Sequence, residues 1–296
     1  MILVLRALGV GDLAAGVPAI RAVRSHFADR TLALAAPAWL TPLIDLIGGV
    51  DRVVPLSGLA DSLPPLDADV AINLHGSGPE STELLTSLSP GQLWAFSPAG
   101  PVWRDDEHER DRWCRLLSHY GVAADPGDTD LSVPSVAVPH GVTIIHPGAK
   151  SPSRRWPVSR YATVARALAD AGHKVVVTGS AGEREIALDV ARWAGLGPSA
   201  VLDTGLAELA GLVAHARLLI SGDTGIAHLA TAYRTPSVTL FGPMPPSRWG
   251  PPPDRPYHQV IWHGTRAERG DSPGPEVHPA LLAVTPDEVL ERSRHA

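Results

Sequence analysis

Apolar and polar positions alternate along this chain in blocks that predict two successive series of strands and helices. Short apolar runs bounded by turn residues are typical of buried strands, and longer runs with a helical period are typical of helices. In the first series these are strand Ile2–Leu5, a helix from about Ala14 to His26, strand Thr31–Ala35, a helix near Leu40–Ile47, and strands Arg52–Pro55 and Val70–Leu74. Proline and glycine then become dense around 89–101, and the charged segment 105–120 predicts an exposed helix.

Residues 121–141 have no helical period and many prolines and glycines, which predicts a linker. A second series of the same kind follows it: strand Val142–Ile145, helix Val158–Ala171, strand Lys174–Thr178, helix Glu183–Ala194, strand Val201–Asp203, helix Leu206–Ala216, strand Leu218–Ile220, a helix through His228, and strand Ser237–Phe241. Residues 250–280 look irregular. We therefore predict an α/β protein of two doubly wound domains, 1–137 and 138–296, whose last helix, 285–296, is free to pack back on the first domain.

Composition narrows the functional classes. The 296 residues are 44% hydrophobic and 19% charged, and no apolar run reaches the roughly 18 residues that cross a bilayer. The first residues lack a signal-peptide pattern, so we expect a cytoplasmic protein. A net charge of −6 argues against nucleic acid as a partner. The single cysteine, Cys114, has no partner for an internal disulfide or a cysteine metal site.

The first predicted strand runs into a turn with the spacing Gly-x-Gly-x-x-Ala, residues 9–14. This spacing occurs in dinucleotide-binding proteins, but the second strand ends in Ala36 without the acidic residue that holds a ribose. Asp12 would also repel a pyrophosphate in this turn. Two interpretations of Asp12 remain: a base that accepts a proton from a bound hydroxyl, or a helix cap.

A second glycine-bounded turn joins the predicted strand Leu218–Ile220 to the helix that follows it. It reads Gly222-Asp223-Thr224-Gly225, in which Asp223 or Thr224 can cap the helix. Backbone amides at such a helix start attract phosphate, so this turn predicts an anion site. His228 lies one helical turn further on, either facing the same ligand or serving a structural role.

Two further elements of this half carry charge. The loop 146–157 contains Lys150, Arg154 and Arg155, which together could bind a diphosphate, the alternative being a solvated basic turn. Glu183 and Glu185 follow the turn 179–182. Each could accept hydrogen bonds from a ribose, or simply suit the dipole of a helix start.

Other candidate chemistry is weaker. The triplets Asp67-Ala68-Asp69 and Asp128-Thr129-Asp130 invite a metal interpretation, but neither has a histidine or a further carboxylate at useful spacing. His75 ends a predicted strand of the first domain, where it could contact an acceptor. No Gly-x-Ser-x-Gly elbow and no Walker loop occurs, which argues against hydrolases and nucleoside triphosphatases.

Four segments taken together resemble a known family. They are LGVGDLAAGVPAIRAVR at 8–24, HPGAKSPSRRWP at 146–157, LAELAGLVAHARLLISGDTGIAHLA at 206–230 and TPSVTLFGPMPPSRWGP at 235–251. In this order they resemble the ADP-heptose:lipopolysaccharide heptosyltransferases, glycosyltransferase family 9. The resemblance implies a GT-B fold of two Rossmann-like domains facing across a cleft. It also implies an acceptor bound mainly by the first domain, a nucleotide sugar bound by the second, and inverting transfer without a metal or other cofactor.

The resemblance also implies roles for individual residues. Asp12 matches the family's proposed general base, and Arg154 stands where relatives usually have a phosphate-binding lysine. The implied donor-binding residues are Lys150, Glu183, Gly222, Asp223, Thr224, Gly225 and His228, and the acceptor-side candidates are Gly11 and His75.

Several alternatives stay open. The donor can be ADP-heptose, or a GDP- or UDP-linked hexose on the same fold, or the chain can be a nucleotide-binding protein without transfer activity. The acceptor can be the lipopolysaccharide core, another envelope glycan or a natural product, and peripheral membrane contact is compatible with all three. The residues do not define the oligomeric state or a role for Cys114.

Overall fold

The computed structural model describes residues 1–98, 100–265, 271 and 274–296. Contacts within the chain divide it into two compact units, Met1–Ser132 and Val133–Ala296. The sequence placed this boundary after residue 137, within the same stretch that lacks regular structure. Each unit contains a parallel sheet with helices, which confirms the predicted α/β class.

The first unit contains a five-stranded parallel sheet in the order β3-β2-β1-β4-β5. Its elements are β1 (Ile2–Leu5), α1 (Val10–His26), β2 (Leu32–Ala36), α2 (Thr41–Ile47), β3 (Arg52–Pro55), β4 (Val70–Asn73), α3 (Glu80–Thr86), β5 (Gln92–Trp94) and α4 (Glu109–His119). Every residue of β1, β2 and β4 is buried, which explains why these strands are continuous apolar runs rather than alternating ones.

The second unit contains a six-stranded parallel sheet in the order β11-β10-β9-β6-β7-β8. Its elements are β6 (Thr143–His146), α5 (Val158–Asp170), β7 (Val175–Thr178), α6 (Arg184–Ala194), β8 (Val201–Leu202), α7 (Leu206–Ala214), β9 (Leu218–Gly222), α8 (Gly225–Tyr233), β10 (Ser237–Phe241), α9 (Pro246–Trp249), β11 (His258–Trp262), α10 (Pro279–Ala283) and α11 (Pro286–Arg292). When strands β6 to β11 are renumbered 1 to 6 and the sheet is read from β8 to β11, the order is 3-2-1-4-5-6. This is the strand order of the Rossmann fold.

Strand order identifies where each sheet binds a ligand. In a doubly wound sheet the crevice lies beyond the carboxyl ends of the two central strands, where the chain changes direction across the sheet. In the first unit these strands are β1 and β4, which pair directly. In the second unit they are β6 and β9, which also pair directly. The turns singled out from the sequence follow β1 and β9.

Several element boundaries differ from the predicted ones. Helix α1 begins at Val10, so Gly11 and Asp12 lie inside its first turn and not in a preceding loop. Gly222, predicted as a turn residue, is the last residue of β9. Glu183 precedes α6 in a short 3-10 turn, at the helix cap.

Some elements were missed altogether. Helix α3 and strand β5 lie next to or within a segment dense in proline and glycine, and the supposedly irregular segment 250–280 contains β11. Strand β11 is an edge strand with polar residues at its first two positions, so its sequence lacks a long apolar run. Its backbone pairing with β10 over five residues defines it instead.

The helix predicted within 105–120 is present as α4, but the prediction that it is exposed is wrong. Helix α4 covers 109–119 and packs against α1, with Trp113 and Leu117 fully buried. Its charged residues Glu109 and Arg112 are also buried, because they bond to each other. A buried ion pair has the same composition in sequence as a solvated face, so the pattern could not distinguish them.

The last helix, α11, contacts α5 of its own unit and contributes Val289 to the apolar core there. Its N-cap Thr285 accepts a hydrogen bond from the Glu288 amide at 3.3 Å, and Pro286 occupies the first helical position. Among the described residues, no helix is both long and apolar enough to cross a membrane.

Gly16, in the interior of α1, provides a test of the packing in the first unit. A Cβ at this position would lie 2.7 Å from both Cδ and Nε of the fully buried Arg6. Alanine normally stabilises a helix interior relative to glycine by about 0.5–1 kcal/mol. Here we expect Gly16→Ala to lower the free energy of unfolding by about 1–3 kcal/mol, because the side chain of Arg6 must move.

Urea denaturation measures this difference. Gly58→Ala is the matched control, since a Cβ there meets nothing within 4 Å and the backbone is not in the left-handed region. Equal stability of Gly16→Ala and the unaltered chain would contradict the account of Arg6 as a fixed side chain.

Candidate active site

The turn between β9 and α8 forms the most specific feature of the second unit. Thr224 occupies the N-cap position of α8 in an extended conformation, yet its side chain makes no capping bond. Its Oγ1 is buried and has no hydrogen-bond partner among the described residues. A threonine at this position normally accepts from an amide of the first turn. The hydroxyl and the first amides of α8 therefore remain available to an anion.

Gly222 is required by a close approach of two backbone segments. A Cβ at this position would lie 3.1 Å from the carbonyl oxygen of Arg154, tighter than ordinary van der Waals contact. The end of β9 and the loop after β6 therefore lie side by side. This places the predicted anion site and the predicted basic loop at the same sheet edge.

Arg154 lies in contact with this turn. Its Nη1 donates to the carbonyl of Asp223 at 3.1 Å and is 3.9 Å from that residue's carboxylate. On its other side, the guanidinium is paired with Asp271, with Nε 2.9 Å from Oδ1 and Nη2 3.2 Å from Oδ2. The sequence analysis missed Asp271, because no regular motif surrounds it. Lys150 is exposed on the same loop, and among the described residues it forms no hydrogen bond or ion pair with these groups.

Glu183 takes part in a capping box at the short 3-10 turn before α6, in keeping with the interpretation of an acidic residue that suits a helix start. Its Oε2 accepts from the Ser180 amide at 2.9 Å and from the Ser180 hydroxyl at 2.7 Å. Burial alone would raise the pKa of this carboxyl, but the bonds from Ser180 outweigh it and lower the pKa. The carboxylate lies against the backbone of Gly148, where a Cβ would come within 2.2 Å of it. Glu185 is exposed on α6.

His146 ends β6 beneath this edge. Its Nδ1 is 2.9 Å from the hydroxyl of Thr178. Burial holds the pKa of its imidazole below the ordinary value, although the nearby charge of Glu183 opposes that shift. His228, which the sequence placed near the ligand, is half-buried on α8, with its ring edge-on to Trp249 at a centroid distance of 5.8 Å.

In the first unit the candidate base also serves as a cap. The Gly9 amide donates to Oδ2 of Asp12 at 3.2 Å, which closes the first turn of α1. The Nε of Arg6 donates to the carbonyl of Asp12 at 2.5 Å. These bonds fix the backbone at Asp12 and use one carboxylate oxygen. Among the described residues Oδ1 accepts no hydrogen bond, so both interpretations of Asp12 are compatible with the geometry.

His75 follows β4 and reaches the turn after β1. Its Nδ1 accepts from the Ala7 amide at 3.2 Å, so the neutral ring carries its proton on Nε2. Burial, and then the positive charge of Arg6, lowers the pKa of His75 despite the opposing charge of Asp12. The charge of Asp12 thus acts on the imidazole of His75, although no hydrogen bond joins the two among the described residues.

Arg6 is a second residue that the sequence analysis missed, after Asp271. It is fully buried, and its guanidinium also donates to the Leu74 carbonyl and, at 3.2 Å, to Glu109. The available signal was a charged residue directly after an apolar strand. Its partner Glu109 was assigned to an exposed helix, so the pair went unrecognised.

Two carboxylates of the Asp-x-Asp triplets form ion pairs within the first unit. Asp69 pairs with the N-terminus and Arg30, bonds that lower its pKa, and Asp128 pairs with Arg21 at 2.6 Å. Within the described parts of the chain, no three His, Cys, Asp or Glu residues are grouped as metal ligands would be. Burial raises the pKa of Cys114 to about 12, so its side chain is a protonated thiol at neutral pH.

Comparison with known proteins decides the family. The model of glycosyltransferase family 9 (heptosyltransferase) matches residues 113–270, more than half of the chain. The chain belongs to this family. It is therefore a glycosyltransferase, as predicted.

This glycosyltransferase is similar to curated relatives over most of its length. Lipopolysaccharide heptosyltransferase 2 of Escherichia coli is 24% identical, covering 98% of this chain and 96% of the relative. Lipopolysaccharide heptosyltransferase 3 of the same organism is 30% identical over 69% of this chain and 67% of the relative.

Solved structures share the fold. The ADP-heptose lipopolysaccharide heptosyltransferase II of Escherichia coli superposes with a TM-score of 0.76 at 22% identity, covering 98% of this chain and 96% of the other. The iron-containing dodecameric glycosyltransferase TibC superposes with a TM-score of 0.62 at 14% identity, covering 98% of this chain and 74% of TibC. The fold of this glycosyltransferase is thus GT-B, as predicted.

His146 should make the free energy of unfolding depend on pH. Because its pKa is lower in the folded than in the unfolded chain, the unfolded chain binds more protons just below the ordinary histidine pKa. We expect the free energy of unfolding to fall as the pH drops from about 7 to 5, with His146 contributing a slope of at most about 1.4 kcal/mol per pH unit.

Urea denaturation at several pH values measures this slope. It should be shallower in His146→Gln, and the exposed His119→Gln is the matched control. An identical slope in His146→Gln and the unaltered chain would show that His146 is not held neutral by burial.

Proposed function

We propose that this glycosyltransferase transfers a heptose from ADP-heptose to an acceptor hydroxyl, with inversion at the anomeric carbon and without a metal ion. The observation that carries the proposal is the buried hydroxyl of Thr224 at the start of α8, which has no hydrogen-bond partner among the described residues. The residue before it, Asp223, accepts a hydrogen bond from Arg154 through its carbonyl. The names of the similar proteins supply the sugar and the nucleotide: they include an ADP-heptose heptosyltransferase and a heptosyltransferase solved with ADP.

The donor's diphosphate would bind at the turn between β9 and α8. Thr224 and the amides of Gly225 and Ile226 donate hydrogen bonds to it, and Gly222 lets the backbone approach closely. Arg154 supplies the positive charge, and its guanidinium can bind two phosphate oxygens at once. Asp271 now occupies that face of the guanidinium, so the diphosphate must displace its carboxylate.

Further contacts complete the donor site in this proposal. Glu183 binds the ribose through the carboxylate oxygen that Ser180 does not use. Lys150 adds charge from the exposed part of the loop. Asp223 positions Arg154 through its carbonyl, and His228 lies on the first turn of α8, which the diphosphate approaches.

Asp12 would act as the general base. The acceptor oxygen attacks the anomeric carbon from the face opposite the diphosphate and transfers its proton to Oδ1 of Asp12. The bond between the sugar and the diphosphate breaks as the new glycosidic bond forms, so the configuration inverts. Gly11 lies in the same turn, and His75 can donate a hydrogen bond to the acceptor from Nε2.

The negative charge that grows on the leaving diphosphate needs compensation. Fixed donors in a preorganised site stabilise such charge without reorganisation during the reaction. Arg154 and the α8 amides are donors of this kind, Lys150 adds positive charge from an exposed position, and in this proposal they take the place of a metal ion.

Replacement of Asp12 by asparagine separates its two roles. Asparagine keeps an oxygen that can accept from the Gly9 amide, but it cannot take a proton. We expect Asp12→Asn to lower kcat by about 10²–10⁴-fold while ADP affinity stays unchanged. Initial rates of ADP release and calorimetric titration with ADP measure the two quantities. Undiminished turnover would leave Asp12 with the capping role alone.

Arg154 should be important for both binding and rate. We expect Arg154→Ala to weaken ADP binding and to lower kcat by about 10²–10³-fold, because charge on the leaving group loses its partner. Arg154→Lys should reduce ADP affinity and kcat by smaller factors, because lysine keeps the positive charge but cannot form the bidentate contact.

Arg192→Ala is the matched control for this experiment. Arg192 is an exposed arginine that pairs with Asp189 on α6. An Arg154→Ala enzyme with the kinetic constants of Arg192→Ala would remove Arg154 from the donor site.

The metal-independent mechanism predicts that excess EDTA leaves the initial rate unchanged. Because TibC is described as iron-containing, the treated enzyme should then be assayed with added magnesium and with added iron. A rate that collapses in EDTA and returns with either ion would refute this part of the proposal.

A further inference from the structure

Arg248, on α9, differs from the two arginines of the loop after β6 in having no partner. Arg154 bonds to Asp271, and Arg155 donates to the Ala149 carbonyl at 2.7 Å. Arg248 is half-buried and its Nε is fully enclosed, yet among the described residues its guanidinium forms no hydrogen bond, ion pair or ring contact. Enclosed polar atoms normally have a partner, so this arginine is suited to bind a ligand that completes its contacts.

The segment that carries Arg248 is held in place at both ends. Helix α9 follows β10 after a four-residue loop, and the indole nitrogen of Trp262 donates to the Gly242 carbonyl at the start of this loop, at 3.1 Å. Directly after Arg248, the ring of Trp249 lies edge-on to His228 in the first turn of α8. These contacts place α9 beside the helix start at which the diphosphate would bind.

Strand order gives the direction in which a bound donor would run. Strands β7, β6, β9 and β10 are consecutive neighbours in the sheet, each about 4.8 Å from the next. In the same order, the segments after their carboxyl ends contain Glu183, Arg154, Thr224 and Arg248. A donor whose ribose lies at Glu183 therefore extends its diphosphate across β6 and β9 and its sugar toward β10. The phosphate nearer the sugar then lies on the side of Arg248.

The charges at this edge also distinguish the two arginines. The Nε of Arg154 is 2.9 Å from a carboxylate oxygen of Asp271, and its Nη1 is 3.9 Å from one of Asp223, so its charge is balanced before a donor binds. Arg248 pairs with no carboxylate among the residues that the structure describes. Its positive charge is therefore available to an anion without the displacement of another group. A guanidinium has five N–H donors, whose geometry suits phosphate oxygens.

We propose that Arg248 binds the phosphate of the donor that is bonded to the sugar. The inference rests on the proposed function, because it takes the turn after β9 as the diphosphate site. When the bond from the anomeric carbon to this phosphate breaks, the electron pair stays on the phosphate oxygen. Arg248 then compensates the negative charge that the leaving group gains. Arg154, two strands nearer the ribose, contacts the phosphate that AMP and ADP share.

Calorimetric titration with ADP and with AMP, which lacks the sugar-side phosphate, tests the proposal. The unaltered chain should bind ADP more tightly than AMP. We expect Arg248→Ala to raise the Kd of ADP about 10- to 100-fold, because a charge-assisted contact is lost, and to leave the Kd of AMP within about twofold. Arg248→Lys should raise the Kd of ADP by a smaller factor, because lysine keeps the positive charge. The initial rate of ADP release from saturating ADP-heptose should fall about 10²–10³-fold in Arg248→Ala.

Two further arginine variants are the controls. Arg166 donates to the carbonyls of Trp193 and Ala194 at the end of α6, so Arg166→Ala should keep both dissociation constants. Arg154→Ala should weaken the binding of ADP and AMP alike.

The outcomes separate failure of this inference from failure of the proposed function. An unchanged ADP affinity in Arg248→Ala, an equal loss of ADP and AMP affinity, or an unchanged rate of ADP release would overturn the inference. If Arg248→Ala unfolds at a lower urea concentration than Arg166→Ala, Arg248→Lys decides, and a ratio of ADP to AMP affinity equal to that of the unaltered chain would overturn it. An unaltered chain that binds neither nucleotide would contradict the proposed function itself.

Discussion

The buried guanidinium of Arg6 is the contact on which the first unit depends. It bonds the carbonyl of Asp12 in α1, the carbonyl of Leu74 after β4, and Glu109 in α4. A buried charge is costly unless it is paired, and removal of one partner from such a pair typically costs about 3–5 kcal/mol. Gly16 leaves the space that Arg6 occupies, and the ring of Trp113 lies 5.0 Å from its charge. The turn that presents Asp12 is thus fixed by a side chain that is fully buried.

The second unit reaches the same kind of site by a different route. Among the described residues of this unit, no buried arginine organises the central strands. Instead, a backbone approach at Gly222 brings the β9 turn against Arg154. Here the guanidinium is partly exposed and bonded to groups that a diphosphate can replace, Asp271 above all. The contrast agrees with the proposed roles. A base needs a fixed position, whereas a phosphate-binding cation needs partners that can exchange.

Much of this architecture follows from the sequence, because buried parallel strands are unbroken apolar runs and glycine turns mark their ends. The strands β1 and β9 and the turns after them were therefore predictable, and family resemblance added candidate roles. The Arg6–Glu109 pair was not predictable, because a local sequence pattern does not show which distant charged residue will lie next to it. The unused cap of Thr224, the capping bonds of Glu183 and the Asp271 contact likewise depend on tertiary placement. Edge strand β11 is defined by its neighbour and not by its own composition.

Calorimetric titration of the purified chain with ADP, GDP, UDP and NAD, each in excess EDTA, tests the central claim most directly. The account predicts that ADP binds most tightly, and that Thr224→Val, which removes the unbonded hydroxyl at constant shape, weakens this binding. Tighter binding of GDP or UDP would preserve the fold but contradict the ADP-linked donor. Binding of NAD alone would contradict the assignment of the β9 turn as a diphosphate-sugar site.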